Sequence, residues 1–418
     1  MVADFISPAY RRFTPDALGW TIVRRAAPRR SWPMTVVACA ALGLAGCAEF
    51  DDSTAATDWH AAPELTAEAG PQPQLPEAGP NVIPDPPSTS TTPMRPPEGC
   101  TDFDKAVIAT CLDTVSAVAA LPSDGSSVTA LAGERRSGRV FLVNTDGEER
   151  EFAALDVQAA GDGGLTGLAL SPTYAEDGLV FAYVTTSTDN RVVRFAEGQS
   201  AKPVLTGIPK GPKNNGGALL ATADGSLLVA TGDAGNPRAA ADRTSLAGKI
   251  LRIDASGRPA EDNPEADSAV YASGLHSPGG MCQAMDGSRL WVTDRTERHD
   301  AVYRIEAGEE LTSPVWTWKD KPGVSGCSDW TDTLAVSTEE AGNIQNLPLT
   351  AEGSVSGDPQ TTLDGRNGPS YGRIGSLDQV TQDVAVAGTV NKDGGDPVSS
   401  DDRVVLIVRQ PASGSGRD

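Results

Sequence analysis

Few side chains in this sequence suit proton transfer or ligand capture, and most of them stand in glycine-rich loops. Only three histidines occur. His60 lies in a proline-rich stretch and reads as solvated, as does His299 in Arg295-Thr-Glu-Arg-His-Asp300. His276, in Gly274-Leu-His-Ser-Pro278, can hydrogen-bond within its loop or face a ligand, and its imidazole changes charge near neutral pH. Separated histidines give no imidazole-based metal site. No nucleophile elbow is present to support serine hydrolase chemistry. Asp162, in Gly161-Asp-Gly-Gly164, is the best candidate carboxylate for a base, against the plainer role of stabilising a turn. Asp233 closes Thr231-Gly-Asp, where turn capping is the plainer reading. Asn214, in Lys213-Asn-Asn-Gly-Gly217, donates and accepts hydrogen bonds but is no base. Lys213 and Arg373 are basic loop residues able to meet an anion, or simply surface cations.

Other clusters are weaker. Asp393, Asp396, Asp401 and Asp402 offer oxygen ligands for Ca²⁺, but their spacing is not that of an EF-hand loop. Trp316, Trp318 and Trp330 surround Cys327; they can stack on a sugar, and packing inside the fold is the plainer reading. The chain has six cysteines and no Cys-x-x-Cys. Cys100, Cys111, Cys282 and Cys327 form an even set in a segment that reads as exported, so disulfides are expected. Three pairings exist; Cys100–Cys111 with Cys282–Cys327 closes the shorter loops and is preferred.

The export reading comes from the N-terminus. Arg24, Arg25, Arg29 and Arg30 precede a short apolar run, Thr35 to Gly46. It is too short to span a bilayer, which takes about 20 helical residues. A basic flank, a short apolar stretch and small residues make a secretory signal. Residues 1–46 are therefore expected to be a signal peptide. Residues 47–99, rich in Pro, Ala, Thr and acidic side chains, are expected to be an extended spacer. A domain over 100–410 and a flexible tail over 411–418 follow. The net charge is −22 over 418 residues. The first 46 residues carry six Arg against Asp4 and Asp16, so the remainder stands at −26. Such a surface repels phosphate backbones and argues against nucleic acid as a partner.

The elements that would hold the loops are strands. Arg139–Val143, Leu179–Val184, Ser226–Ala230, Arg289–Thr293, Asp383–Ala387 and Arg403–Val408 are short Val/Leu/Ile/aromatic runs, most beside an Asp-Gly turn. The units Asp224–Asp233 and Asp286–Asp294 resemble each other. Units of roughly 40–50 residues, each a four-stranded sheet, are the pattern of a β-propeller, and the domain length accommodates six. The expected fold is all-β, a six-bladed β-propeller, with a sandwich as the alternative. Helical periodicity is nearly absent, with Phe103–Val115 the one plausible helical turn.

Five ordered segments over roughly 130–408 resemble the soluble PQQ-dependent glucose/sorbosone dehydrogenases, which are six-bladed propellers. They are Gly161–Gly178, Asn214–Asp233, Ser245–Asp254 with Asp262-Asn-Pro264, Tyr271–Pro278, and Asn391–Gly394 with Asp401-Asp-Arg403. The resemblance implies PQQ, Ca²⁺ and a sugar or similar alcohol as ligands. It places Asn214 where the family carries the histidine that takes the substrate's hydroxyl proton. His276 and Ser277 stand where the family carries an arginine and an asparagine that contact PQQ. Asp162, Lys213 and Arg373 become further candidates near cofactor and sugar. Slow oxidation by the usual route is expected, since losing a general base costs about 10²–10⁴ in rate. A non-catalytic envelope propeller that binds a ligand or protein is the alternative. Leu44-Ala-Gly-Cys47 resembles a bacterial lipoprotein signal, which implies a lipid on Cys47 and attachment to the outer face of the cell membrane, as in the family's actinobacterial lipoprotein branch.

Overall fold

The computed structural model describes residues 95–123, 127–366 and 369–409. The expected signal peptide, Cys47, His60 and the expected tail fall outside them. After β1 (Val107–Ala109) the chain runs through β2 (Val115–Ala120), β3 (Thr129–Glu134), β4 (Arg139–Asn144) and β5 (Glu149–Ala154), the first blade. The second is β6 (Leu165–Leu170), β7 (Val180–Thr185), β8 (Asn190–Phe195) and β9 (Lys202–Ile208), with a short helix α1 (Tyr174–Asp177) between its first two strands. The third is β10 (Gly217–Ala221), β11 (Leu227–Thr231), β12 (Lys249–Ile253) and β13 (Val270–Ser273), with α2 (Pro237–Ala241) after β11. The fourth is β14 (Pro278–Gln283), β15 (Leu290–Arg295), β16 (Asp300–Arg304) and β17 (Trp316–Trp318). The fifth is β18 (Val324–Asp329), β19 (Thr333–Thr338), β20 (Ile344–Pro348) and β21 (Gln360–Thr362). The sixth is β22 (Ile374–Gln379), β23 (Val384–Thr389) and β24 (Val404–Val408), completed by β1.

Every pair is antiparallel, and each blade is a four-stranded meander. The continuous apolar runs read from the sequence are those of strands buried on both faces. The six clusters of buried apolar side chains each belong to two neighbouring blades. No blade has a private core, so the ring is the unit of stability. The innermost strands β2, β6, β10, β14, β18 and β22 pack on one another around the axis. They come so close that a Cβ on Gly326 would lie 2.2 Å from the backbone nitrogen of Leu377. Five of these six strands shift register within their first residues; only β10 is regular. Such bulges bend a strand and re-aim its side chains. They all occur at one end of the axis, where the site lies.

The expected helical turn over Phe103–Val115 is not there. Val107 and Ala109 pair with Val405 and Val404 instead, so the first strand closes the sixth blade. Cys111 and Thr114 have φ of 61° and 48°, which no α-helix tolerates. The apolar spacing that resembled a helix buries Leu112 and Val115 against the sixth blade. Trp318 is buried between blades four and five with Trp316 packed in the same cluster, and Trp330 is buried between blades five and six.

Both expected disulfides form, Cys100–Cys111 beside the ring closure and Cys282–Cys327 between β14 and β18. The second ties blade four to blade five across 45 residues of sequence. Non-reducing peptide mapping of protein folded under oxidising conditions should recover both. Replacing Cys282 and Cys327 together by Ala should lower unfolding free energy by about 2–4 kcal/mol. Free thiols at all four positions would contradict the structure.

Candidate functional site

At the bulged end of the axis a cavity of about 710 Å³ opens between blades three and four. Its wall includes Lys213, Asn214, Asp233, His276, Ser277 and Arg295. A narrower space of about 110 Å³ lies on the axis beside it and holds Asp162, Arg135, Arg373 and Asp393, with Ser277 and Arg295 shared between the two.

Asn214 precedes β10 in a backbone of φ 59°, a left-handed conformation in which Asn and His are enriched. Asp162 holds it there. The Asp162 carboxylate accepts the backbone N–H of Asn214 at 2.5 Å, the N–H of Asn215 at 3.2 Å and Nδ2 of Asn215 at 3.0 Å. Asn215 fastens the loop further by exchanging hydrogen bonds with the backbone of Gly211. Asp162 is thus the residue that shapes the loop, not a free base in the larger cavity. Gly232 permits the arrangement, since a Cβ there would lie 2.1 Å from the Asn214 carbonyl oxygen.

The Asn214 side chain donates from Nδ2 to Oδ1 of Asp233 at 2.8 Å. Its amide oxygen has no partner among the described residues. Asp233 is buried and also accepts the N–H of Gly235, and its own N–H donates to the His276 carbonyl. The wall behind is fixed by Lys249, whose buried ammonium donates to the carbonyls of Ala239, Ala240 and Ala247 and so tethers α2. Burial pulls that ammonium down to about 8.

The loop before β14 repeats this design one blade further on. Asp294, wholly buried at the end of β15, accepts the N–H of Ser277 at 2.7 Å and that of His276 at 3.0 Å. Its Oδ2 also lies 3.3 Å from Nδ1 of His276. The hydrogen bond to Asp294 raises the His276 imidazole above its ordinary value of 6.5, and desolvation raises Asp294.

Lys213, Arg295, Arg298 and Lys321 line the larger cavity against Asp233, Glu297 and Glu310, a local excess of cations in a chain of net charge −22. Lys213 pairs with Glu297 at 3.0 Å, and Arg295 with Glu339 at 2.9 Å. His299, read from sequence as solvated, is half-buried in this wall. Arg373 lies apart, held bidentately by Glu340 on the axial side. Of the candidate calcium ligands, Asp393 pairs with Arg135 and Arg136, Asp401 with Arg403, and Asp402 accepts backbone N–H groups. Among the described residues, no group of three or more His, Cys, Asp and Glu side chains is placed to hold a metal ion.

Sequence reasoning missed Asp294, Arg295 and Arg135. A signal for Asp294 existed: the two similar units end in Asp233 and Asp294, and both carboxylates hold the loop that begins their blade.

The profile of the Glucose / Sorbosone dehydrogenase family matches residues 112–334. The chain belongs to that family. Aldose sugar dehydrogenase YliI of Escherichia coli is 26% identical over 267 residues, 51% of this chain and 70% of the relative. Quinoprotein glucose dehydrogenase B of Acinetobacter calcoaceticus is 24% identical over 53% of this chain and 55% of its own. Among solved structures, the PQQ-bound aldose sugar dehydrogenase of Streptomyces coelicolor superposes with a TM-score of 0.66 at 28% identity. That likeness covers 75% of this chain and 99% of the other.

Proposed function

We propose that this glucose/sorbosone dehydrogenase-family protein is a PQQ-dependent sugar oxidoreductase held on the outer face of a membrane, with a remodelled proton-accepting position. One observation carries the reading: Asn214, His276 and Ser277, three positions the resemblance gives to chemistry and cofactor, converge on one 710 Å³ cavity. That volume suits a cofactor and a small substrate together. The residues fit a polycarboxylate. Lys213, Arg295, Arg298 and Lys321 supply positive charge, and His276 and Ser277 supply polar groups. PQQ, when bound, supplies a hydride acceptor. Asn214 contributes an amide oxygen to a ligand hydroxyl and keeps its orientation through Asp233. It takes no proton. No calcium site is assigned.

The purified, exported protein should bind PQQ with a spectral change, and added aldose should compete or react at the same site. A spectrum unaltered by PQQ would refute the cofactor assignment. A second reading, a propeller that binds a sugar or envelope ligand without oxidising it, is favoured by the amide at Asn214. Bound PQQ with no dye reduction by any aldose would select it.

Attachment rests on Cys47 and the linker that follows. Among the described residues no helix is long and apolar enough to cross a membrane. Stable anchoring takes more than one acyl chain. Cys47→Ser should therefore release the protein or leave its leader uncut; a processed variant still in the membrane fraction would refute lipidation.

A further inference from the structure

The Asn214–Asp233 pair has a counterpart one blade on, and the counterpart holds the one imidazole facing the same cavity from the start of a blade. In blade three, Asp233 at the end of the second strand fixes the loop residue Asn214. In blade four, Asp294 at the end of the second strand fixes the loop residue His276. The two units are joined, because the Asp233 N–H donates to the His276 carbonyl at 2.8 Å. We propose that His276 is the proton acceptor of this cavity, its Nδ1–H held by Asp294 and its Nε2 turned to the substrate hydroxyl. The role has moved by one blade from the position now occupied by Asn214.

The geometry meets what a base requires. The His276 side chain is 37% exposed while its partner carboxylate is 0% exposed, so one ring nitrogen is anchored and the other is left for a ligand. Nε2 has no partner among the described residues. A carboxylate on Nδ1 fixes the tautomer and favours the protonated ring, as a base needs when it receives a proton. The loop cannot swing away, because Asp294 also binds the His276 and Ser277 N–H groups. Asp294 on β15 and Asp233 after β11 stand beside the ring, and Arg295, Glu297, Arg298 and His299 follow from the end of β15; Lys213, Tyr303, Glu310 and Lys321 are the other titratable groups of the cavity wall. Asp294, Asp233 and Glu297 all favour the protonated form.

This inference rests on the sugar-oxidoreductase reading. The carbinol C–H bond of the sugar breaks with its electron pair, which passes as hydride to an ortho-quinone acceptor. The O–H proton passes to Nε2 of His276, and the C–O bond becomes C=O. The alcohol loses two electrons and the quinone gains two.

Two measurements test it on the full exported protein. In cofactor-free protein, the His276 ring resonances, assigned with His276→Gln, should titrate above 6.5 and shift on adding glucose at millimolar concentration. In PQQ-loaded protein, kcat/KM for glucose should rise with pH through that same value. His276→Gln, compared at PQQ concentrations that saturate it, should lose the rising limb and fall in rate by about 10²–10⁴. A ring whose resonances do not respond to glucose, or a His276→Gln protein that keeps the rate and the limb, overturns the assignment while PQQ binding leaves the oxidoreductase reading standing. Absent PQQ binding in the unmodified protein overturns both.

Discussion

Asn214→His is expected to raise the rate of aldose oxidation by PQQ-loaded protein by about tenfold or more. A positioned general base contributes about 10²–10⁴, and His276 already supplies part of that. The structure is prepared for the change. The left-handed backbone at Asn214 is one that His adopts more readily than most residues. Oδ1 of Asp233, now 2.8 Å from the amide nitrogen, is placed to accept from an imidazole and to orient it. Asp162 keeps the loop in place without involving the side chain at 214. Initial rates of dye reduction with glucose near pH 7 check this. An unchanged rate, with PQQ binding intact, would show that position 214 does not face the reacting hydroxyl.

Asp329→Ala has the largest expected effect on stability. Asp329 is buried at the far end of β18 and accepts Nε and Nη2 of Arg289 at 2.9 and 2.8 Å, Nε1 of Trp291 at 2.7 Å and the N–H of Thr331 at 2.8 Å. The Arg289 side chain is only 8% exposed. Removing the carboxylate leaves a buried guanidinium and an indole N–H unpaired, which costs about 3–5 kcal/mol. The loss falls on the interface between blades four and five that Cys282–Cys327 also joins. Urea unfolding measures it. Replacing Asp329 and Arg289 together by Leu and Met should cost less, because no charge is then stranded. A loss below about 1 kcal/mol in Asp329→Ala would mean that water reaches Arg289.

The blades were legible because their signals are local. Runs such as Arg139–Val143 and Ser226–Ala230, set beside Asp-Gly turns, fall within a residue or so of β4 and β11. The short-loop cysteine pairing was legible for the same reason. β1 was misread because its strand character comes from Val404 and Val405, nearly 300 residues away in sequence. Asn214, His276 and Ser277, which the motifs single out, all line one cavity. From sequence alone Asp162 reads as a candidate base, because only the folded chain brings the N–H groups of Asn214 and Asn215 onto its oxygens. His299 was read as solvated because nothing nearby in sequence reveals the cavity wall. Asp294 and Arg295 were passed over because their role exists only when the end of β15 is laid beside the loop before β14.

The central claim is that this cavity holds PQQ and a sugar together while position 214 supplies no base. A single-turnover experiment tests it most directly. Exported protein is saturated with PQQ, mixed with excess glucose, and the reduction of the bound quinone is followed by absorbance across pH 5.5 to 9. The expected record is a slow, complete reduction whose rate climbs with pH through a value above 6.5 and is accelerated by Asn214→His. Failure of the protein to take up PQQ, or fast reduction that is abolished by Asn214→Ala and indifferent to His276→Gln, would contradict the account.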